Sequence, residues 1–292
     1  MTIDTSKDSL QRFLFEGTDI RGVVTTLSDS FQDLLANQQY PPQVELLLGE
    51  FLAAASLLGT TLKNSGKITI QAMGKGPIAT VMTECSQGNK LRGIVRGDFD
   101  NLEGKSSLGE LVGEATLAIT IEPEGKERYQ GVVPLDQETM SQCLEFYFHQ
   151  SEQLPTRIKL ASSADSACGM LIQQLPSSAS AEKSADDWQT MSVLFETLSS
   201  IEQLELNHND QLYRLFHEQE LRLFEPQEMS FSCSCSRQRT EAALISIGRD
   251  EVLEMSEEQG LIMITCEFCS EQYRFTSRDI SELFDPPNPP LH

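Results

Sequence analysis

Four of the seven cysteines stand in two short-spaced pairs, Cys233-x-Cys235 and Cys266-x-x-Cys269, with thirty residues between the pairs. Two close pairs flanking a mini-domain is the spacing of a tetrathiolate metal site. Each pair chelates as a claw, and the chain between them folds so that the claws meet. Zinc takes four such ligands in a tetrahedron. Residues 218–291 contain no histidine, so the ligand set read from this unit is all-cysteine. The segment 232–292 is too short to bury a large core, and a metal staple answers that need. The expectation is one zinc per chain in the reduced protein, held by Cys233, Cys235, Cys266 and Cys269. Four idle surface thiols is the poorer account, because paired cysteines in a reducing compartment are seldom retained without use.

The claws also bear on chemistry. C-x-C is narrower than the spacing usual in structural zinc sites. Zinc keeps its sulfurs as thiolates at neutral pH, the form that reacts with peroxide or hypochlorite. The site therefore reads as a staple and a trigger together. Oxidising the sulfurs ejects the metal and removes folding free energy of order 10–16 kcal/mol, more than a unit of this size holds in reserve. Arg237 and Arg239 follow the first claw; they either offset the negative charge of a zinc tetrathiolate or are solvated helix-start residues.

The chain has 292 residues, 44 Asp+Glu against 22 Lys+Arg, a net charge of -22 and 39% apolar residues. That length suggests two domains or one large and one small. A nucleic-acid surface needs clustered Lys and Arg, and every segment here is acidic overall, so nucleic acid and anionic membrane are both excluded as partners. The longest strongly apolar stretch, 51–59, is far short of the ~20 residues of a spanning helix. The N-terminus shows neither a basic start nor an apolar run, so nothing reads as a signal peptide and a cytoplasmic location is expected.

Periodicity divides the chain in three: an α+β domain of mixed sheet and helix over 1–176, a helical linker over 177–231 and a small C-terminal zinc-binding domain over 232–292. In the first, strands are expected over 19–27, 67–73, 91–96, 115–121, 127–133, 157–161 and 169–175. Helices are expected from Ser28 or Ser30 through Leu35, over 44–63 and over 139–150. After Pro176 the run SSASAEKSA is small and polar, as linkers are. Trp188, Met191, Phe195, Leu198 and Ile201 then recur at helical spacing, and Asn209 is placed to cap a second helix carrying Leu212, Leu215 and Phe216. This segment holds 3 basic and 11 acidic residues. It has an apolar stripe without a core of its own, so it has to dock on something. Between the claws, 237–247 reads as helix with Gly248 as its stop, 250–255 as a second short helix, and 261–265 as a strand.

The blocks RFLFEGTDIRG (12–22), LAAASLLGTTLK (52–63), ERYQGVVPL (127–135), SEQLPTR (151–157), GMLIQQLP (169–176), LYRLFHEQELRLFEPQ (212–227), CSCSRQR (233–239) and CEFC (266–269) occur in this order. Together they resemble the redox-regulated holdase chaperones, the thirty-three-kilodalton heat-shock proteins of bacteria, over nearly the whole chain. Ala167-Cys168 before Gly169 is a small departure from the family's Gly-rich approach. The resemblance implies a reduced, zinc-bound, inactive monomer and no enzymatic activity. It implies that oxidants convert the four cysteines to two disulfides, Cys233–Cys235 and Cys266–Cys269, with loss of zinc, unfolding of the zinc domain and destabilisation of the linker. The exposed apolar surface would bind unfolding client proteins without ATP, and active members would be homodimers.

Other residues carry less. Cys85, Cys143 and Cys168 are isolated and read as core thiols. His149, His208, His217 and His292 have no ligand spacing. Gly74-Lys75-Gly76-Pro77 lacks the frame of a phosphate loop and reads as a hairpin turn. Trp188, Met191 and Phe195 read first as core stripe, and in a switch protein as client surface once exposed. Two rival functions fit the same residues less well. A zinc-containing transcriptional regulator needs a basic zinc unit, whereas 232–292 has 5 basic and 11 acidic residues. A thiol–disulfide oxidoreductase using Cys266-x-x-Cys269 needs a βαβ context and has no use for a second claw.

Overall fold

The computed structural model describes residues 7–36, 38–60, 66–176 and 181–284. The chain divides into two compact units, Met1–Ser232 and Cys233–His292. The described part of 177–231 lies within the first.

The first unit begins with strands β1 (Ser9–Phe15) and β2 (Ile20–Leu27) and helices α1 (Asp29–Leu35) and α2 (Pro42–Gly59). Ser28 occupies the N-cap of α1 but makes no side-chain cap. Instead Asp8 supplies the anion: its Oδ1 accepts the peptide N–H of Ser28 at 3.1 Å and of Ser30 at 2.9 Å, the arrangement a helix N-terminus favours. Helix α2 starts on Pro42, where a missing N–H costs nothing. It stops at Gly59, so the helix expected over 44–63 is shorter, and positions 61–63 lie outside the described residues. Its apolar circumference has the expected consequence. Leu48, Phe51, Leu52, Ala54 and Leu58 are all buried, because α2 packs against strands of both large sheets.

Strands β3 (Gly66–Gly74), β4 (Ile78–Ser86) and β5 (Lys90–Gly97) form a meander, with Lys75–Pro77 as the first turn. Helix α3 (Leu108–Val112), strands β6 (Ala115–Pro123) and β7 (Tyr129–Pro134), helix α4 (Met140–Tyr147) and strands β8 (Thr156–Ser162) and β9 (Ala167–Gln174) follow. Helix α4 was expected to run to 150; it passes into one π-helical turn, Phe148–Glu152, closed by Gln153 in the left-handed region at φ 55°. Helices α5 (Ala181–Glu196), α6 (Ser200–Glu205) and α7 (His208–Phe216) come next. The cap of α7 is Asn207, not Asn209, and its side chain accepts from Asp210 N at 3.0 Å.

Three short strands end the unit: β10 (Leu221–Leu223), β11 (Gln227–Glu228) and β12 (Ser230–Phe231). Their pairing ties the end of the linker segment to both sheets. The first sheet runs β10-β1-β2-β9-β8, with β11 also on β1; the second runs β12-β5-β4-β3-β6-β7. The β12–β5 pair is parallel, and the other pairs are antiparallel. Neither β1, β4 nor the three short strands was expected from periodicity. No helix among the described residues is long and apolar enough to cross a membrane.

The second unit contains α8 (Arg237–Ile247), α9 (Arg249–Gln259), the antiparallel pair β13 (Leu261–Thr265) and β14 (Gln272–Thr276), and α10 (Ser277–Phe284). Gly248 separates the first two helices at φ 116°, and Gly260 ends the second at φ 70°, backbone that glycine adopts without strain. The fully buried core is small: Leu244, Val252, Ile262, Phe275 and Ile280.

Candidate metal centre

The four clustered cysteines are set by two different turns of the second unit. The first claw precedes α8. Ser236 caps that helix, its side chain accepting Arg239 N at 3.2 Å, so the chain passes from claw to helix within one residue. Arg239 Nη1 donates to Ser234 O at 2.8 Å and Ser234 Oγ at 2.6 Å, which holds the middle residue of C-x-C. The second claw forms the turn between β13 and β14. There Cys266 N donates to Glu271 O and Ser270 N to Cys266 O, both at 2.8 Å, with Ser270 left-handed at φ 59°.

These turns bring all four sulfurs within 4.8 Å of one another. The closest approaches run across the claws: Cys233 to Cys266 at 3.7 Å and Cys235 to Cys269 at 3.4 Å. Four sulfurs about 2.3 Å from a tetrahedral zinc stand about 3.8 Å apart, so the cage fits such an ion in size as well as in donor type. The cluster can hold a metal ion. Each cysteine is half-buried.

Hydrogen-bond donors surround the sulfurs. Peptide N–H groups of Phe268 and Cys269 point to Cys266, that of Cys235 to Cys233, and that of Glu271 to Cys269. Burial pushes the Cys266 thiol up, yet its two peptide donors and the neighbouring sulfurs outweigh burial and leave it below the usual range. Burial dominates at Cys233 and Cys269, which are raised. The Tyr273 hydroxyl donates to Cys235 Sγ at 3.1 Å. Arg239, expected either to offset the tetrathiolate charge or to be solvated, is bonded to Ser234. Tyr273 was given no role at the site from the sequence; a tyrosine four residues past a C-x-x-C turn, on the strand leaving it, is the signal that was available. Arg237 is occupied elsewhere. It lies 4.4 Å over the Phe275 ring, pairs with Glu241 and Asp279, and donates to Arg274 O.

The linker stripe resolves residue by residue. Met191, Phe195 and Leu198 are buried with Leu212, Leu215 and Phe216 of α7, and Trp188 packs against the same cluster. The other wall is the first sheet: Phe13, Phe15, Ile20, Val24, Met170 and Ile172. Phe15 meets Phe216 edge-on with centroids 4.9 Å apart. Ile201 departs from the expectation: it is 65% exposed. The helix breaks before it, at a capping box in which Ser199 and Glu202 exchange hydrogen bonds, so Ile201 opens a new helix with a different phase.

His208 is fully buried, its Nε2 3.1 Å from Thr26 Oγ1 and its Nδ1 without a partner. Cys85, Cys143 and Cys168 lie in the core, where burial raises their thiols. His292 lies outside the described residues.

A family model described as Hsp33 protein matches residues 8–276. A 33 kDa chaperonin of Ectopseudomonas mendocina is 43% identical over 280 residues, covering 95% of each chain. One of Shewanella denitrificans is 43% identical over 279 residues, covering 96% of each. Among solved structures, the 33 kDa chaperonin of Thermotoga maritima superposes with a TM-score of 0.81 at 23% identity, over 95% of this chain and 98% of that one. That last likeness speaks to the fold.

Proposed function

The chain belongs to the Hsp33 family, and from that premise we propose that it is a redox-gated, ATP-independent chaperone rather than an enzyme. The observation that carries the reading is the cage of four sulfurs in a unit whose own core, among the described residues, has five buried apolar side chains. In the reduced protein the four cysteines hold one zinc ion. The metal supplies folding free energy that so small a core does not.

An oxidant converts the cysteines to the disulfides Cys233–Cys235 and Cys266–Cys269, zinc leaves, and the unit unfolds. Segment 177–231 then loses its anchored end. Its helices undock from the first sheet and bare the aromatic and aliphatic face of Phe13, Phe15, Ile20, Val24, Met170 and Ile172. A face of this kind is non-directional in what it binds, because apolar burial needs no specific partner. It takes up unfolding client proteins and holds them from aggregating, and the active form is a homodimer. The acidic composition leaves nucleic acid and membrane outside this reading, and the protein works in the cytoplasm.

The test is suppression of aggregation of a heat-unfolding protein, with no ATP, by the reduced and then the oxidised protein. Activity on oxidation and its reversal by a thiol reductant are expected. Equal activity in both states, or none in either, overturns the proposal.

A further inference from the structure

The O–H of Tyr273 reaches Cys235 Sγ at 3.1 Å across 38 positions of sequence. The ring is well placed to hold that contact. Tyr273 sits on β14 opposite Ile264 of β13, two residues before the buried Phe275, and its ring packs against the small core of this unit. The hydroxyl is thus delivered by an anchored side chain and costs little further ordering when the bond forms. The donors at Cys233, Cys266 and Cys269 include peptide N–H groups, which no single side-chain change can remove. The donor at Cys235 is removable.

We infer that Tyr273 is a positioning residue of the redox site, whose hydroxyl restrains Cys235 and thereby sets how much oxidant is needed to open the metal cage. A thiolate that accepts an O–H bond has given part of its lone-pair density to the donor. It is a weaker nucleophile for that reason, and a charge-assisted bond of this kind is stronger than a neutral one. The reaction restrained is the attack of Cys235 Sγ on a hydroperoxide. Sulfur donates an electron pair, the O–O bond breaks, one oxygen stays on sulfur as a sulfenic acid and the other leaves as water after taking up a proton. A second cysteine sulfur then displaces hydroxide, which leaves as water. Two thiolates lose two electrons in forming one S–S bond, and one hydrogen peroxide with two protons becomes two waters. Tyr273 does not enter this balance; it only determines how available the Cys235 lone pair is.

The inference rests on the redox reading above, and its test reads metal and sulfur rather than chaperone activity. Zinc-loaded full-length Tyr273→Phe and the unchanged protein are exposed to hydrogen peroxide while zinc release is followed with a colorimetric chelator. Removal of a hydrogen bond to a charged acceptor, about half of whose strength is lost by the transition state, predicts zinc release about three- to tenfold faster, with sulfenic acid trapping at Cys235 increased. Zinc loss to a competing chelator without peroxide should be unchanged. If it accelerates by the same factor, Tyr273 only braces the fold and the inference falls. It falls too if peroxide-driven release does not change.

A ring-fluorinated tyrosine at position 273, a stronger donor of nearly the same shape, should slow release and keeps the question answerable if the phenylalanine variant folds poorly. Should oxidised protein fail to suppress aggregation while these rates still differ, the chaperone reading fails and the role of Tyr273 stands.

Discussion

The peptide N–H of Ser232 donates to the carbonyl of Leu91 at 2.8 Å, and the next residue is Cys233, the first of the clustered cysteines. The last ordered pairing of the first unit therefore abuts the metal claw along the chain. Lys90 Nζ also holds Ser230 Oγ at 2.9 Å. Loss of order in the second unit leaves β12 as a two-residue strand with a free-moving tail. Short strands of that kind are held by few hydrogen bonds and open at low free-energy cost.

Replacing Cys266 by Ser should abolish stoichiometric zinc binding and unfold the second unit, since structural zinc contributes of order 10 kcal/mol. Metal analysis of reduced protein and hydrogen exchange over β13 and β14 check this. Full zinc occupancy in the variant would remove the four-sulfur site from consideration.

Peroxide treatment followed by peptide mapping should find Cys233–Cys235 and Cys266–Cys269. The closest sulfurs in the cage lie across the claws, but that proximity is lost once metal and fold are gone. Closing a 30-residue loop then costs more entropy than bridging neighbours. Predominant 233–266 or 235–269 bridges would refute this order of events.

Phe195→Asp should free the linker helices with zinc bound and all thiols reduced. Deleting a buried Phe costs about 3–5 kcal/mol, and an unpaired charge in that site costs more. Aggregation suppression without oxidant and faster proteolysis within the described linker are expected. Ile201→Asp, at an exposed position, should behave as the unchanged protein. If both variants remain latent, the aromatic cluster is not the latch.

Acid should loosen α7. Burial lowers His208 from 6.5 to about 4, so the unfolded chain takes up the proton first as pH falls. The stabilisation is complete above about pH 6.5 and drains away down to about pH 4, by about 3 kcal/mol in all. His208→Gln should flatten the change in urea midpoint of the first unit between those limits. An undiminished slope in the variant would assign the acid sensitivity to other groups.

Glu50 acts with the opposite sign. Burial raises it from 4.5 to about 7, so the folded state keeps a proton that the unfolded chain releases. Stability is lost as pH rises from about 4.5 to 7, again by about 3 kcal/mol. Glu50→Gln should therefore raise the urea midpoint at pH 8 and leave it nearly unchanged at pH 4. No gain at pH 8 would contradict a half-buried carboxyl that resists ionisation.

Local spacing made the second unit legible. The claws, the 237–247 helix with its Gly248 stop, and the strand over 261–265 each carry their signal within a few residues. The alternation of Leu117, Ile119 and Ile121 did the same for β6. Strand β1 did not show, because SLQRFLF is covered on both faces and does not alternate. Strands β10, β11 and β12 did not show because two or three residues hold no period; partners some 140 to 220 positions away define them. Ile201 was misplaced for a readable reason. Ser199-x-x-Glu202 is a capping box, and it resets the helical phase just before that residue. Tyr273 needed three dimensions: which sulfur a hydroxyl meets depends on the fold between the claws.

The register of β1 has a consequence for biosynthesis. Phe13 pairs with Leu223 and Leu10 with Gln227, so an early strand waits for partners that the ribosome makes more than two hundred residues later. Until then the outer edge of β1 is a bare row of peptide groups, the surface on which nascent chains mispair. Such long-range pairing also slows folding, because loop closure has to precede its reward. The growing chain thus passes through a stage in which that edge stands unpaired, and it leaves that stage only when β10 and β11 arrive.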